Sequence, residues 1–352
     1  MKKSEIAGVA SLALSVILAI VILFSFSAGE KDLPVTLVRN SASAPETEDA
    51  GDASAEPSGV VPLESFVAHT PPYIKMVPGG TFNVSIERVP ENSNEVLTWK
   101  SSAPYIADVS QSGVITAISR GVAAITVEGY NGAGFSRVIV DVVRTPDALL
   151  DVPYITQIYD YPNGCESVST VMALNYEGID ISVDDFIEKY LDMAPLPEYV
   201  DGELWGYSPW FYFLGDPRDM SGLCCYAPCI VNALNKFVDT EKYEILELYG
   251  ESIEDLCANY VKQGDPVIFW GTMYMNAPSV PGWNWNVYGA DDTYYWVDPM
   301  HCLLLVGYDR DNYYFNDPTA GKSVAYSKSD VEAAYEGLFE QAVVVRHKPE
   351  SE

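Results

Sequence analysis

The sequence predicts a multidomain chain in which an apolar N-terminal helix precedes an all-β sandwich and then an α+β domain. Three observations carry this expectation. A nearly uncharged apolar run opens the chain, short period-two apolar runs fill residues 71–145, and helical and strand periodicities intermix over residues 148–348. With 352 residues there is room for two or three domains of roughly 100–200 residues each. Hydrophobic residues make up 48%, which excludes a wholly disordered chain. Asp and Glu number 50 against 20 Lys and Arg, a formal net charge of -30, so no phosphate-neutralising surface is expected and nucleic acid is excluded as a partner.

Residues 1–29 are expected to be a signal anchor or signal peptide. The run from Ile6 to Ala28 would make a helix of roughly 35 Å, enough to cross a bilayer. Lys2 and Lys3 put its start on the cytoplasmic side. Cleavage near Ser25-Phe26-Ser27 and retention as an anchor both fit, and the length favours the anchor. Residues 30–70 read as an acidic flexible linker: Asn40 to Pro62 is Ser, Ala, Pro, Glu and Asp with too little apolar surface to offset ordering entropy.

From 71 to 145 the apolar residues alternate in short strands, among them Thr81–Ile86, Leu97–Trp99, Ile106–Val109, Gly113–Thr116, Ala124–Val127 and Val138–Val142. Pro78-Gly79-Gly80, Ser112-Gly113 and Asn131-Gly132 punctuate them as turns, and Trp99 reads as sandwich core. On Leu97-Thr98-Trp99-Lys100-Ser101-Ser102, Ile106-Ala107-Asp108-Val109-Ser110, Gly113-Val114-Ile115-Thr116-Ala117 and Gly121–Val127, the segment resembles the bacterial Ig-like group 2 domain. That resemblance implies a spacer or adhesion module without chemistry of its own.

In the 148–348 domain, Cys165 follows Pro162-Asn163-Gly164 and opens a helical pattern carrying Val168, Val171 and Met172. A cysteine there meets unpaired N–H groups and the positive end of the helix dipole, which suits a thiolate nucleophile, and a small buried cysteine fits the position equally well. Only three histidines are present, and His69 and His347 lie far from the pattern, so His301 is the candidate base. It opens the apolar run Cys302–Tyr308, which reads as a central buried strand. Its separation from Cys165 falls in the ~130–150 residues common to papain-like pairs. The next strand, Tyr313-Tyr314-Phe315, ends at Asn316-Asp317-Pro318, and a hairpin would return Asp317 or Asn316 to His301 as the orienting group. Upstream, Val152–Gln157 reads as a strand, and the Gln157 amide could join the Cys165 N–H in an oxyanion hole.

Val152-Pro153-Tyr154-Ile155-Thr156-Gln157, Tyr161–Ser169, Cys225-Tyr226-Ala227-Pro228, Gly264–Trp270, His301–Asp309 and Phe315-Asn316-Asp317-Pro318 together resemble the double-glycine-leader peptidase-like family of cysteine peptidases in a stand-alone exported form. The resemblance implies a papain-like fold, Cys165 as nucleophile, His301 as base, Asp317 as orienting residue, Gln157 in the oxyanion hole, and no cofactor. Namesake members cut leader peptides while fused to an ABC transporter, and no ATPase motif occurs here, so their substrate is not carried over. The expected partner is a peptide or protein, including cell-wall peptide. The expected setting is extracytoplasmic, at the bacterial cell surface, membrane-anchored or secreted, with the membrane touched through the N-terminal helix only. A non-catalytic surface binding module that keeps the fold is the alternative.

Cys257 shares an apolar helix face with Ile253, Leu256 and Tyr260 behind a Ser252 cap, and reads as core. Cys224, Cys225 and Cys229 leave a disulfide to Cys257 open, whereas zinc is disfavoured for want of a CxxC pair, and no metal is expected. Thr272–Pro299 reads as a long irregular connection into His301. Trp283 and Trp285 in it form either an aromatic lid that binds substrate together with Asn163 and Gly164 or part of a loop packed on itself.

Overall fold

A computed structural model describes residues 59–348. The apolar run over 1–29 and most of the expected linker lie outside the described residues. Among the described residues no helix is long and apolar enough to cross a membrane.

Nine strands form the N-terminal β-region: β1 (Ser65–His69), β2 (Tyr73–Met76), β3 (Thr81–Asn83), β4 (Ser85–Val89), β5 (Thr98–Ser101), β6 (Ala107–Val109), β7 (Val114–Ala117), β8 (Gly121–Glu128) and β9 (Phe135–Val142). In β8 and β9 the buried residues Ala123, Ile125, Val127 and Val138, Val140, Val142 alternate with more exposed ones, because successive side chains in a strand point to opposite faces. These inward faces pack on Phe82, Ala107, Ile115 and Ala117 of the separate β3-β7-β6 sheet, and Trp99 is buried between them. Two expectations need correction. Strand β1 lies inside the span read as linker and pairs with β4 from Ser65↔Val89 to His69↔Ser85. The single strand expected over 81–86 is two, β3 and β4, divided at Val84, so that one edge pairs with β7 and the other with β1.

The remaining elements are β10 (Ala148–Leu149), α1 (Cys165–Tyr176), α2 (Val183–Lys189), β11 (Met193–Ala194), β12 (Glu198–Val200), β13 (Glu203–Gly206), β14 (Phe213–Leu214) and α3 (Ala227–Leu234). They continue with β15 (Tyr243–Tyr249), α4 (Ile253–Asn259), β16 (Val267–Thr272), β17 (Asn284–Val287), β18 (Thr293–Tyr295) and β19 (Met300–Tyr308). The chain closes with β20 (Asn312–Asp317), β21 (Gly321–Ser327), α5 (Lys328–Gly337) and β22 (Gln341–His347). Helices α2, α4 and α5 begin at Ser182, Ser252 and Ser327, each side chain accepting a hydrogen bond from the backbone N–H three residues on.

Strand β19 is the centre of this domain and is buried on both faces, which is why Leu303 to Val306 can be uninterruptedly apolar. Cys302, Leu304 and Val306 share a core with Val168, Val171 and Met172 of α1. Leu303 and Leu305 face the opposite core with Leu256 of α4 and Val331, Ala334 and Tyr335 of α5. Val152–Gln157, expected as a strand, is an extended segment without a ladder, held by isolated bonds such as Asn316 Nδ2 to the Val152 carbonyl at 3.2 Å. Much of 272–299, expected to be irregular, is the β17–β18 hairpin, which joins β12 and β13 in a four-stranded sheet.

The two regions share a sheet. Its order runs β15-β22-β16-β19-β20-β21 and continues through β2-β9-β8-β5, because Lys75 and Met76 of β2 pair with Ala325 and Val324 of β21. At the same junction Gly321 has φ 153° and its Cα abuts the Thr81 backbone, so an added Cβ would overlap the Thr81 carbonyl. Gly321→Ala is therefore expected to lower stability by about 3 kcal/mol, measured by urea unfolding, through backbone strain and overpacking.

Candidate active site

The nucleophile candidate stands where the sequence places it, at the first position of α1. Gly164 is the N-cap, and a Cβ there would stand 2.8 Å from Tyr161 Cβ, which favours glycine at this position. As the first helical residue, Cys165 has a backbone N–H with no acceptor within the helix. Ser169 Oγ donates to the Cys302 carbonyl at 3.1 Å and ties the first turns of α1 to the residue after His301.

The thiol is 8% exposed and donates to Glu166 Oε2 at 3.2 Å rather than to His301. Burial pushes the Cys165 thiol well above its ordinary range, and Glu166 and Cys302 add to the rise. Burial around the sulfur disfavours the thiolate, so the thiol stands nearer the buried-cysteine alternative than the helix-stabilised thiolate. Glu166 itself is fully buried, with Oε1 accepting from the Cys225 N–H at 2.9 Å. Burial lifts its carboxyl to about 7, against hydrogen bonds from Cys225 and others that favour the charge.

His301 begins the described β19 strand one residue in and is 1% exposed. Its Nε2 lies 2.8 Å from Asp317 Oδ1, so Nε2 carries the proton that an ionised carboxylate accepts. Strand register puts Asn316 opposite Leu304, which leaves Asp317 diagonal to His301 across the β19–β20 hairpin. Asn316, the other orienting option in the sequence, is used elsewhere: it donates to Val152 and accepts from the Ser323 N–H. Asp317 also accepts from the N–H groups of Thr319 and Ala320 at 2.9 and 3.1 Å and from Tyr326 Oη at 2.8 Å. Burial opposes its charge, but the neighbouring His301 and these hydrogen bonds outweigh it and hold the carboxyl below its ordinary range.

Cys165, His301, Gln157 and Asn163 line one cleft of about 780 Å³. The Gln157 side chain donates through Nε2 to the Pro162 carbonyl at 3.0 Å, and its backbone N–H donates to the Pro318 carbonyl at 3.0 Å. One amide hydrogen of Gln157 is therefore committed and one remains for a ligand. Asn163 Nδ2 donates to the Asp219 carbonyl at 2.9 Å, which fixes the loop before α1, while Gly164 is buried beneath Tyr161.

The aromatic lid needs correction. Trp285 is 1% exposed, its Nε1 donating to the Tyr207 carbonyl at 3.0 Å, and Trp283 is 39% exposed. The tryptophan on the cleft wall is Trp296, with Trp283 packed edge-on behind it at 5.5 Å between ring centroids. Trp285 lies within β17 opposite the buried Tyr294, whereas Trp283 precedes the strand and accepts from the Trp296 N–H at the open end of the hairpin. Glu166 was also missed; its adjacency to Cys165 was visible, but nothing in the sequence said that it is buried.

A scan against protein-family models matches residues 149–343 to the Peptidase_C39 like family. The chain belongs to the Peptidase_C39 like family. The Bacillus subtilis (strain 168) protein YvpB, itself uncharacterized, is 26% identical over 185 residues, which are 52% of this chain and 69% of that protein. A Bacillus anthracis protein whose crystal structure was described as that of a candidate C39-like peptidase is 24% identical, with 58% of this chain and 98% of that chain covered at a TM-score of 0.50. That likeness establishes a shared fold for the C39-like domain.

All six cysteines of the chain are buried free thiols. The disulfide to Cys257 left open by the sequence is absent, since Cys257 packs with α5 and β16 whereas Cys225 and Cys229 pack in the core on the α1 side of the C39-like sheet. Among the described residues no group of three or more His, Cys, Asp and Glu is placed to hold a metal ion.

The raised Glu166 carboxyl has a measurable consequence. Because the folded protein holds this proton more tightly than the unfolded chain, its contribution to stability is complete below the ordinary 4.5 and is lost as pH rises through about 7. Glu177 rises similarly, through burial and Asp265, so the comparison must be with a Glu166 variant. Relative to Glu166→Gln, the parent is expected to lose on the order of 3 kcal/mol between pH 4.5 and 7.5 in denaturant unfolding.

Proposed function

We propose that the chain is an extracytoplasmic cysteine peptidase, with a β-region of the bacterial Ig-like group 2 kind ahead of its C39-like domain. The observation that carries this reading is the meeting of Cys165 and His301 in one cleft, with His301 Nε2 held 2.8 Å from Asp317. In this reading His301 takes the thiol proton as general base when substrate is bound. Sulfur then attacks the peptide carbonyl, and the Cys165 N–H with the free Gln157 amide hydrogen receives the oxyanion. His301 returns the proton to the leaving amine, and water releases the acyl-enzyme. Asp317 keeps the proton on Nε2 and so leaves Nδ1 as the basic nitrogen.

The buried thiol bonded to Glu166 supports catalysis by a base acting during the reaction rather than a preformed thiolate. The same contact favours the second reading, a non-catalytic surface module that binds peptide in the cleft. The substrate of the first reading is a peptide or protein, with cell-wall peptide included, and no cofactor enters the steps.

Turnover of a mixed-sequence peptide library, followed by mass spectrometry, separates the two readings. Cleavage by the intact protein that falls at least ~10³-fold in Cys165→Ala and in His301→Ala, and about 10²-fold in Gln157→Ala, supports the peptidase. Peptides retained without cleavage, equally by parent and Cys165→Ala, support the binding module.

A further inference from the structure

We propose that the N-terminal β-region is a working part of the catalytic unit: its β3–β4 corner fixes the turn that carries Asp317 and lends Ser85 to the wall of the cleft. The inference rests on the peptidase reading for its effect on turnover, but its geometry stands apart from that reading.

The turn from Asp317 to Gly321 belongs to both regions. Ala320 and Val324, though C39-like in sequence position, are buried in the apolar core of the N-terminal β-region with Phe82, Met76 and Ile115. The Asn83 N–H donates to the Ala320 carbonyl, and the Lys322 N–H donates to Thr81 Oγ1 at 3.2 Å. Asn83 Nδ2 also donates to Tyr154 Oη at 3.3 Å, whose own hydroxyl is directed at the Asp317 and Pro318 carbonyls at 3.1 and 3.3 Å. The glycine at 321 lets the Thr81 backbone approach this closely.

These contacts bear on the catalytic groups because the same turn provides the amides that hold the Asp317 carboxylate. Ala320 is anchored at its carbonyl by β3, at its methyl by the β-region core, and donates through its N–H to Asp317 Oδ1. Releasing β3 would let the turn drift and with it the carboxylate that orients His301. At the other end of the corner, Ser85 lines the cleft together with Cys165, His301, Trp296 and Thr319. An extended peptide in the cleft would thus touch both regions, and the residue at 85 would help set which side chains fit. A passive spacer would make neither contribution.

Two experiments on the full chain test this. In the first, a site-specific protease sequence is inserted at the exposed Arg144–Thr145 connection and cut. The two pieces are expected to co-elute and to keep the low-field proton resonance of His301 Nε2–H. Separation of the pieces with that resonance intact in the C-terminal piece would overturn the proposal. In the same readout, Thr81→Val is expected to broaden or shift the resonance and Thr81→Ser to restore it; an identical resonance in Thr81→Val counts against the positioning role.

The second experiment compares Cys165 labelling by a peptidyl chloromethyl ketone with labelling by iodoacetamide, located by mass spectrometry. Ser85→Trp is expected to lower the ratio of the two rates at least tenfold. An unchanged ratio overturns the wall. Failure of the peptidase reading appears elsewhere, as library peptides left uncut, and leaves both of these results readable.

Discussion

The hydrogen bond from His301 Nε2 to Asp317 Oδ1 is the constraint around which this structure is arranged. A carboxylate 1% exposed costs several kcal/mol in lost hydration unless its oxygens are occupied. Here four donors occupy them: His301, the Thr319 and Ala320 amides, and Tyr326. Supplying them requires a tight turn after β20, a strand β21 that brings Tyr326 back, and a fixed β19 start. The turn in turn needs Gly321, and Gly321 is hemmed in by β3. The same turn leads into β21, through which the sheet continues into β2.

Two carboxyl groups beside the cleft are thereby set in opposite directions. Asp317 is held below its ordinary range by His301 and a ring of donors, whereas burial lifts Glu166 to about 7 against its hydrogen bonds. Pairs whose surroundings push them apart in this way mark where proton chemistry is arranged. Asp317 remains a fixed anion that orders an imidazole, and Glu166 is poised to gain or lose a proton near neutrality beside the nucleophile. The thiol donates to Glu166, and in the proposed peptidase reading its proton is removed by His301.

Much of this was legible in the sequence, and the pattern of what was not is instructive. Cys165 at a helix start, the two-faced strand after His301 and the hairpin return to Asp317 all rest on local periodicity and turn chemistry, and each stands in the structure as expected. The choice between Asp317 and Asn316 was not wholly local: Asn316 is absorbed by Ser323 across the β20–β21 turn and by Val152, far away in sequence. Burial of Glu166 depends on the Cys225 amide arriving from another loop. Trp285 is buried because β17 and β18 pair as a hairpin, with Trp285 opposite Tyr294, a pairing that no local pattern in the segment announces. The shared core at Ala320 joins segments more than two hundred residues apart, a distance over which no pattern in either segment points to the other.

The central claim is that His301 is the base that unmasks Cys165. Its most direct test is the second-order rate of Cys165 alkylation by iodoacetamide at pH 7 in the intact protein and in His301→Ala, with the modified residue located by mass spectrometry. Burial and Glu166 hold the proton on sulfur, so the account predicts a rate at least about tenfold slower without the imidazole. Equal rates in the two proteins would contradict it.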